Sequence, residues 1–305
     1  MDSFRFITYN VDGLPEKLDL NTLPWFLKPI AWIYKLIKGT TLVNVNDNLN
    51  KKEKTLEISK RINGADIICV QEDFNYHDEL VSELKDYNMG THLGGFNLSN
   101  LFSNIKLFPY PRFKSDGLNI FVKKPIEIIR EKIIPWEHSR GYFSHANDKL
   151  TTKGFRHYVL KKNDLFFEVY IVHMDADFYH PEKCPNVQKD IETRKKQLKQ
   201  LTSYILFHRT GNPIIILGDT NSSRKYGWDI HNIKEYLINP INANRDLSII
   251  EFSPTDYTDV DRFFYLDVSY RLAKMGIDEC HVCKDFGGLS DHYPLEVNLK
   301  LLEKK

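Results

Sequence analysis

This chain predicts an α/β fold with mixed sheets, two of them packed face to face beneath outer helices, and three observations predict it. Strand-like segments recur from one end to the other, and several, such as IICV at 67–70 and IIIL at 214–217, are unbroken apolar runs. Such runs belong to strands covered on both faces. Helical patterns alternate with them, the sign of a layered α/β architecture. The segments 155–161 and 165–173 lie too close together for a crossover helix, so part of the pairing is antiparallel and the sheets are mixed.

Taken in order, FRFITYN at 4–10 alternates apolar and polar residues and reads as the first strand. A helical pattern at 52–63 leads to the buried strand DIICVQ at 66–71, followed by a helical pattern at 77–87. LNIFVK at 118–123, FRHYVLK at 155–161 and LFFEVYIVH at 165–173 are further strands. A charged helix at 186–209 ends at Thr210-Gly211-Asn212-Pro213, and PIIILG at 213–218 opens the next strand. FFYLDV at 263–268 and PLEVNLK at 294–300 complete the set. The run Thr193-Arg194-Lys195-Lys196 reads as a solvated helix face. No repeat, low-complexity stretch or Gly/Ser linker interrupts the pattern, so residues 1–305 are read as one domain.

Composition narrows the function. With 42 basic and 41 acidic residues the net charge is +1, which disfavours a broad nucleic-acid-gripping surface. The 42% apolar and 27% charged shares exclude disorder, collagen and coiled coil. Four cysteines are too few for a disulfide scaffold, and Cys69 reads as a buried thiol. Cys280 and Cys283 enclose His281, but zinc needs further ligands at matching spacing, so they read as two thiols near a loop. No run approaches the ~20 apolar residues of a membrane span. MDSFRFITYN is already strand-like, leaving no room for a signal peptide; the compartment and oligomeric state stay open.

The chemistry gathers where strands end. Asn10 and Asp12 follow the first strand, Glu72 and Asp73 the second, and His173, Asp175 and Asp177 follow EVYIV. Asp219 and Asn221 follow PIIILG, and Asp291-His292 precede the last strand. One Asp after a strand is ordinarily a turn or cap residue. Five such places with carboxylate, amide and imidazole together match a ligand site at converging strand ends. Glu72, Asp12 and Asp291 offer hard oxygen ligands for Mg²⁺. Asn10 and Asn221 can orient water or phosphate oxygens. His173 and His292, if protonated, can donate to a phosphoryl group, and either could pass a proton. The residue types suit metal-assisted phosphoester hydrolysis.

The blocks N-V-D-G-L, V-Q-E, V-H-M-D-A, G-D-T-N and S-D-H-Y-P, in this order from residue 4 to residue 300, resemble the endonuclease/exonuclease/phosphatase (DNase I-like) superfamily. The resemblance implies a four-layered α/β sandwich with two central mixed sheets flanked by helices. It implies Glu72 as principal Mg²⁺ ligand, with Mn²⁺ a substitute, and Asn10, Asp12 and Asp291 around the ion. Asp219 and Asn221 would position water, His173 and His292 would flank the phosphate, and Asp261 would orient His292. Either Asp219 or His292 could take the water's proton.

Within the superfamily the chain lacks the Y-V-P-N segment of abasic-site endonucleases and the P-x-W-C-D-R block of inositol polyphosphate 5-phosphatases. Its Thr8–Leu14 opening is similar to that of tyrosyl-DNA phosphodiesterases, but its middle departs from them. H-M-D-A, S-D-H-Y-P and the D-x-L-x-x-K-G-F segment at Asp148–Phe155 resemble the neutral sphingomyelinase-like branch, which implies a phospholipid head group as substrate. Asp148 and Lys153 are then candidate switch or substrate-side residues, or else an ordinary charged turn. The apolar insertion LPWFLKPIAWIYKLIKG at 23–39 reads either as a core-packing helix with lysines toward water or as a membrane-surface helix. The rival functions are a nuclease or inositol-phosphate phosphatase using the same residues, and a non-catalytic binding module.

Overall fold

The computed structural model describes residues 3–13, 48–95, 115–140, 151–176, 187–222, 228–242, 249–252, 260–266 and 275–301. In chain order the elements are β1 (Ser3–Asn10), α1 (Asn48–Ile62), β2 (Ile67–Gln71), α2 (His77–Leu80), β3 (Tyr87–Met89), β4 (Asn119–Lys123), β5 (Glu127–Pro135), β6 (Gly154–Lys162) and β7 (Leu165–His173). They continue with α3 (Val187–His208), β8 (Ile214–Asp219), α4 (Trp228–Ile233), a π-helical turn at Lys234–Ile238 and α5 (Asn239–Asn242). β9 (Ile249–Phe252), β10 (Asp261–Leu266), β11 (Met275–Val282), a 3₁₀ turn at Lys284–Phe286 and β12 (Leu295–Leu301) complete the fold.

The strands form two six-stranded mixed sheets, ordered β11-β12-β1-β2-β4-β3 and β5-β6-β7-β8-β10-β9. The apolar runs explain how the layers stack. Along β2, Ile67 and Cys69 point into the core between the sheets, against Phe167, Leu217 and Phe263. Their neighbours Ile68 and Val70 point outward, against Ile58 and Ile62 of α1. The second sheet repeats this: Ile215 and Leu217 face the first sheet, while Ile214 and Ile216 meet Leu198, Leu201 and Ile205 of α3. Period-two alternation with both faces apolar thus produces helix, sheet, sheet, helix. Edge-to-face contacts of Phe4 with Phe167 (5.3 Å) and Phe6 with Phe263 (5.8 Å) pin the sheets together.

Two sequence expectations change. The helix expected over 77–87 stops at Leu80. Leu80 and Leu84 are both buried at helical spacing, but the chain continues as turns with three-residue bonds, Leu84 N to Val81 O and Tyr87 N to Leu84 O. Arg194 is not on a solvated face but is 1% exposed on the inner side of α3, near the Asp175 carbonyl. Cys280 packs on the inter-sheet core and Cys283 on the outer cluster beneath α1. The insertion at 23–39 lies outside the described residues. No described helix is long and apolar enough to cross a membrane.

Candidate active site

Strand register assembles the cluster. In the first sheet, parallel β1 and β2 set Asn10 opposite Gln71, so Glu72 leaves the sheet beside Asn10. In the second, parallel β7 and β8 set His173 opposite Asp219, and antiparallel β10 sets Asp261 on the other side of Asp219. The two sheets meet where Asn10 Nδ2 donates to Asp219 Oδ2 at 3.2 Å. Two glycines permit the crowding. Gly218 has φ +125°, and a Cβ there would run into the Val172 carbonyl; a Cβ at Gly13 would strike that of Glu72. Among described non-glycine residues, only Asp12 (φ 47°), Glu72 (62°), Asn163 (54°) and Asn221 (50°) are left-handed, and three of these are strand-end residues of this cluster. Strained backbone of this kind persists only where surroundings hold it, and it concentrates at functional sites.

Asp219 is the hub. Its Oδ1 accepts the Asn221 backbone N–H at 2.8 Å, and its Oδ2 lies 3.6 Å from His173 Nε2 and 3.9 Å from His292 Nε2. Asn221 Nδ2 donates to the Met174 carbonyl at 3.0 Å, holding the amide against β7. Ser290 Oγ donates to the Asn10 carbonyl (2.7 Å) and accepts the His292 N–H (3.1 Å), so the S-D-H turn is tied to the end of β1.

The two imidazoles differ electrically. Burial drives the His173 pKa well below its ordinary value, and Lys153 and His292 push the same way, so the ring is neutral. Burial also opposes charge on His292, but the Asp261 carboxylate, 2.7 Å from Nδ1, outweighs it and holds the imidazole well above its ordinary value. Of the two rings, His292 is therefore the one held in the form that can donate from both nitrogens.

The carboxylates crowd one another. Burial pushes Glu72 up to about 7; Asp291 and Asp12 add to the rise, while Lys153 and His292 pull against it. Glu72 Oε1 stands 3.8 Å from His173 Nε2. Burial likewise raises Asp12, despite an ion pair with Lys51 Nζ at 3.0 Å. Asp291 is 76% exposed at the mouth, 4.0 Å from His292 Nε2. Lys153 is buried, with its charge felt at Glu72.

The structure thus gathers Asn10, Asp12, Glu72, Lys153, His173, Asp219, Asn221, Asp261, Asp291 and His292. Asp73 does not join them; it turns to His77 and His92. Asp175 is bound by Gln197 Nε2 at 2.7 Å and by the Arg140 N–H, a brace for the loop after β7. Asp148 and Asp177 lie outside the described residues. Lys51 and Ser290 were not singled out from sequence. Lys51 arrives through the docking of α1, which no local pattern signals, whereas Ser290 sits inside the S-D-H block.

Fold and cluster define the DNase I-like class of four-layered sandwiches. A profile of the Endonuclease/Exonuclease/phosphatase family matches residues 7–272; the chain belongs to that family, whose members are hydrolases acting on phosphoesters. No curated protein sequence matches it. Among solved structures it is similar to a doubly substituted Staphylococcus aureus beta toxin with bound magnesium ions (TM-score 0.61, 15% identity, covering 99% of this chain and 100% of that one). Sphingomyelinase C from Streptomyces griseocarneus follows (0.59, 15%, 98% and 99%), as does D. rerio TDP2 complexed with a single-strand DNA product (0.57, 13%, 98% and 100%). At such identities the likeness concerns the fold.

Proposed function

We propose that the chain is a Mg²⁺-dependent phosphodiesterase acting on a phospholipid head group, in the manner of sphingomyelinases. The observation that carries the reading is the convergence on Asp219 Oδ2 of Asn10 and His292 from the end of the first sheet and His173 from the second. The donor set fits a hard dication: burial, with the charge of Asp291 nearby, raises the proton affinity of Glu72 and Asp12, a penalty on the two carboxylates that a divalent ion relieves. Glu72, Asp12, Asp291 and Asn10 would hold Mg²⁺, with Mn²⁺ as substitute, and the ion would supply Lewis acidity and offset charge on the phosphate oxygens.

The protein's own groups do the rest. Asp219, with Asn221 beside it, orients a water and takes its proton as the new P–O bond forms. His292, kept charged by Asp261, donates from Nε2 to a phosphate or leaving-group oxygen as the bond to the lipid alcohol breaks. Neutral His173 binds a phosphate oxygen without competing for protons. Lys153 and Asp148 serve the substrate side. The lipid preference is supported by the H-M-D-A, S-D-H-Y-P and D-x-L-x-x-K-G-F motifs and by the near-zero net charge. Trp25, Trp32 and the lysines of 23–39 would supply a membrane-surface contact.

The similarity to a DNA-bound neighbour favours a nuclease as the second reading. A panel of sphingomyelin, other phospholipids, phosphoinositides and single- and double-stranded DNA, assayed with Mg²⁺ and with EDTA, separates them. Head-group release that requires Mg²⁺ is expected. DNA turnover with inert lipids replaces the proposal by the nuclease, phosphate release from inositol lipids by the phosphatase, and binding without turnover by a non-catalytic module.

A further inference from the structure

Just beyond the catalytic cluster lies a second group of ligating side chains whose chemistry differs. Asp73 follows Glu72, yet its carboxylate points the other way. Its Oδ2 lies 2.7 Å from His77 Nδ1 and 3.4 Å from His92 Nδ1, and it also accepts Asn119 Nδ2 at 3.2 Å. The three ligating atoms lie within 4.8 Å of one another. The His77 and His92 rings stack at 3.9 Å between centroids, 18° from parallel, with both Nδ1 atoms turned to one oxygen. Two charged imidazoles at that separation would repel each other, and one carboxylate balances only one of them.

We propose that Asp73, His77 and His92 form a separate transition-metal site that takes Zn²⁺. Two imidazole nitrogens and one carboxylate oxygen are a borderline-soft donor set, suited to Zn²⁺ with a water as fourth ligand and poorly suited to Mg²⁺. Donors on a tetrahedral Zn²⁺ with bonds of about 2.0–2.1 Å stand about 3.3 Å apart. His92 Nδ1 is at that spacing from Asp73 already, at 3.4 Å. His77 Nδ1, at 2.7 Å, must withdraw by about 0.6 Å, and the rings must rotate out of their stack so that each plane meets the ion. The His77 and His92 side chains are 20% and 22% exposed, so solvent reaches the group while Asp73, at 1%, is held from behind. The carboxylate is well anchored, with the Asp73 N–H donating to Gly117 O at 2.9 Å. Bound there, the ion would join the loop after β2 to the segment after β3.

Another group, His281, Cys283 and Glu296, is weaker because Glu296 already accepts two bonds from Arg5, at 2.7 and 2.6 Å.

The test uses the whole chain, stripped with a chelator and returned to excess Mg²⁺, in a His292→Ala background that removes the Asp219–Asp261–His292 group as a competing zinc site. Equilibrium dialysis should find one Zn²⁺ equivalent. His77→Gln or His92→Gln should weaken it by at least the 10–100-fold that loss of an outer metal partner alone costs. Glu72→Gln and Cys283→Ser should leave it unchanged. Binding that survives both histidine changes, or that disappears with Glu72→Gln or Cys283→Ser, overturns the assignment, as does no zinc uptake. Should a histidine variant fail to fold, Co²⁺ loading decides. Intense four-coordinate bands without sulfur-to-metal charge transfer support the site, whereas weak six-coordinate bands or a thiolate signal refute it.

Discussion

Asp261→Asn isolates what a single charge does for the neighbouring imidazole. The pair is 2.7 Å long, with side chains 1% and 12% exposed, and the new amide is nearly isosteric, so packing is retained. What goes is a buried, charge-assisted hydrogen bond, a kind that contributes about 1.5–3 kcal/mol net. If His292 works in its charged, oriented form, that loss falls on the transition state. At about 1.4 kcal/mol per decade it lowers kcat roughly 10- to 160-fold. The amide can also donate to Nδ1, which would move the ring proton to Nε2 and scramble the tautomer. The assay is kcat and KM on a soluble phosphodiester as a function of pH, with a thermal melt as control. KM should change little, and the lost bond should also lower the melting temperature, so activity is read well below it. The limb governed by His292 should move to lower pH, because the carboxylate that held its pKa up against burial is gone. A kcat within twofold of wild type, with an unmoved pH profile, would refute the claim that Asp261 positions and charges His292.

Glu72→Gln removes one formal charge from the hard-cation cluster and should abolish turnover with the fold intact. Near-normal activity at saturating Mg²⁺ would end the metal assignment. His173→Ala and His292→Ala should each cost on the order of 10²–10⁴ in kcat. The double variant should lose less than the product, since groups acting on one phosphate are not additive; fully multiplicative losses would separate them. Away from the site, burial pushes Glu168 up, but bonds from His157, Thr210 and Tyr170 outweigh it and hold the carboxyl below its ordinary 4.5. Its contribution is therefore present above pH 4.5 and is lost as pH falls through the lower folded-state value. Glu168→Gln should cost about 1.5–3 kcal/mol in urea titrations at about pH 7, with the deficit shrinking at about pH 3; an equal deficit at both would contradict it.

The strands legible in the sequence were β1, β2, β4, β6, β7, β8, β10 and β12, all of them interior. The four that were missed, β3, β5, β9 and β11, are the edges of the two sheets. The physics is the same in each case. An interior strand covered on both faces must be an apolar run, whereas an edge needs little apolar surface and is safer when charged or irregular. β5, EIIREKIIP, has no fully buried residue, and β11, MGIDECHV, carries a register shift between Ile277 and Glu279. The gathered candidates stand at the ends of those interior strands, after β1, β2, β7 and β8, at the start of β10 and before β6 and β12, which is why position beside an apolar run finds them. Asp73 shows where such reading ends: adjacent positions in a strand-end turn point to opposite sides, and spacing alone does not say which one the cluster receives.

The left-handed backbone at Asp12, Glu72 and Asn221 has a consequence for how this protein tolerates change. Asp and Asn tolerate that conformation, but at a residue such as Glu72 it costs about 1–2 kcal/mol, and the whole stability of a domain is typically only about 5–15 kcal/mol. Selection for thermal robustness alone would therefore drift toward glycine at Glu72, firming the fold while discarding a carboxylate that the proposed chemistry uses. A laboratory library screened only for melting temperature should enrich Glu72→Gly among its survivors, and those survivors should be hardy and inert.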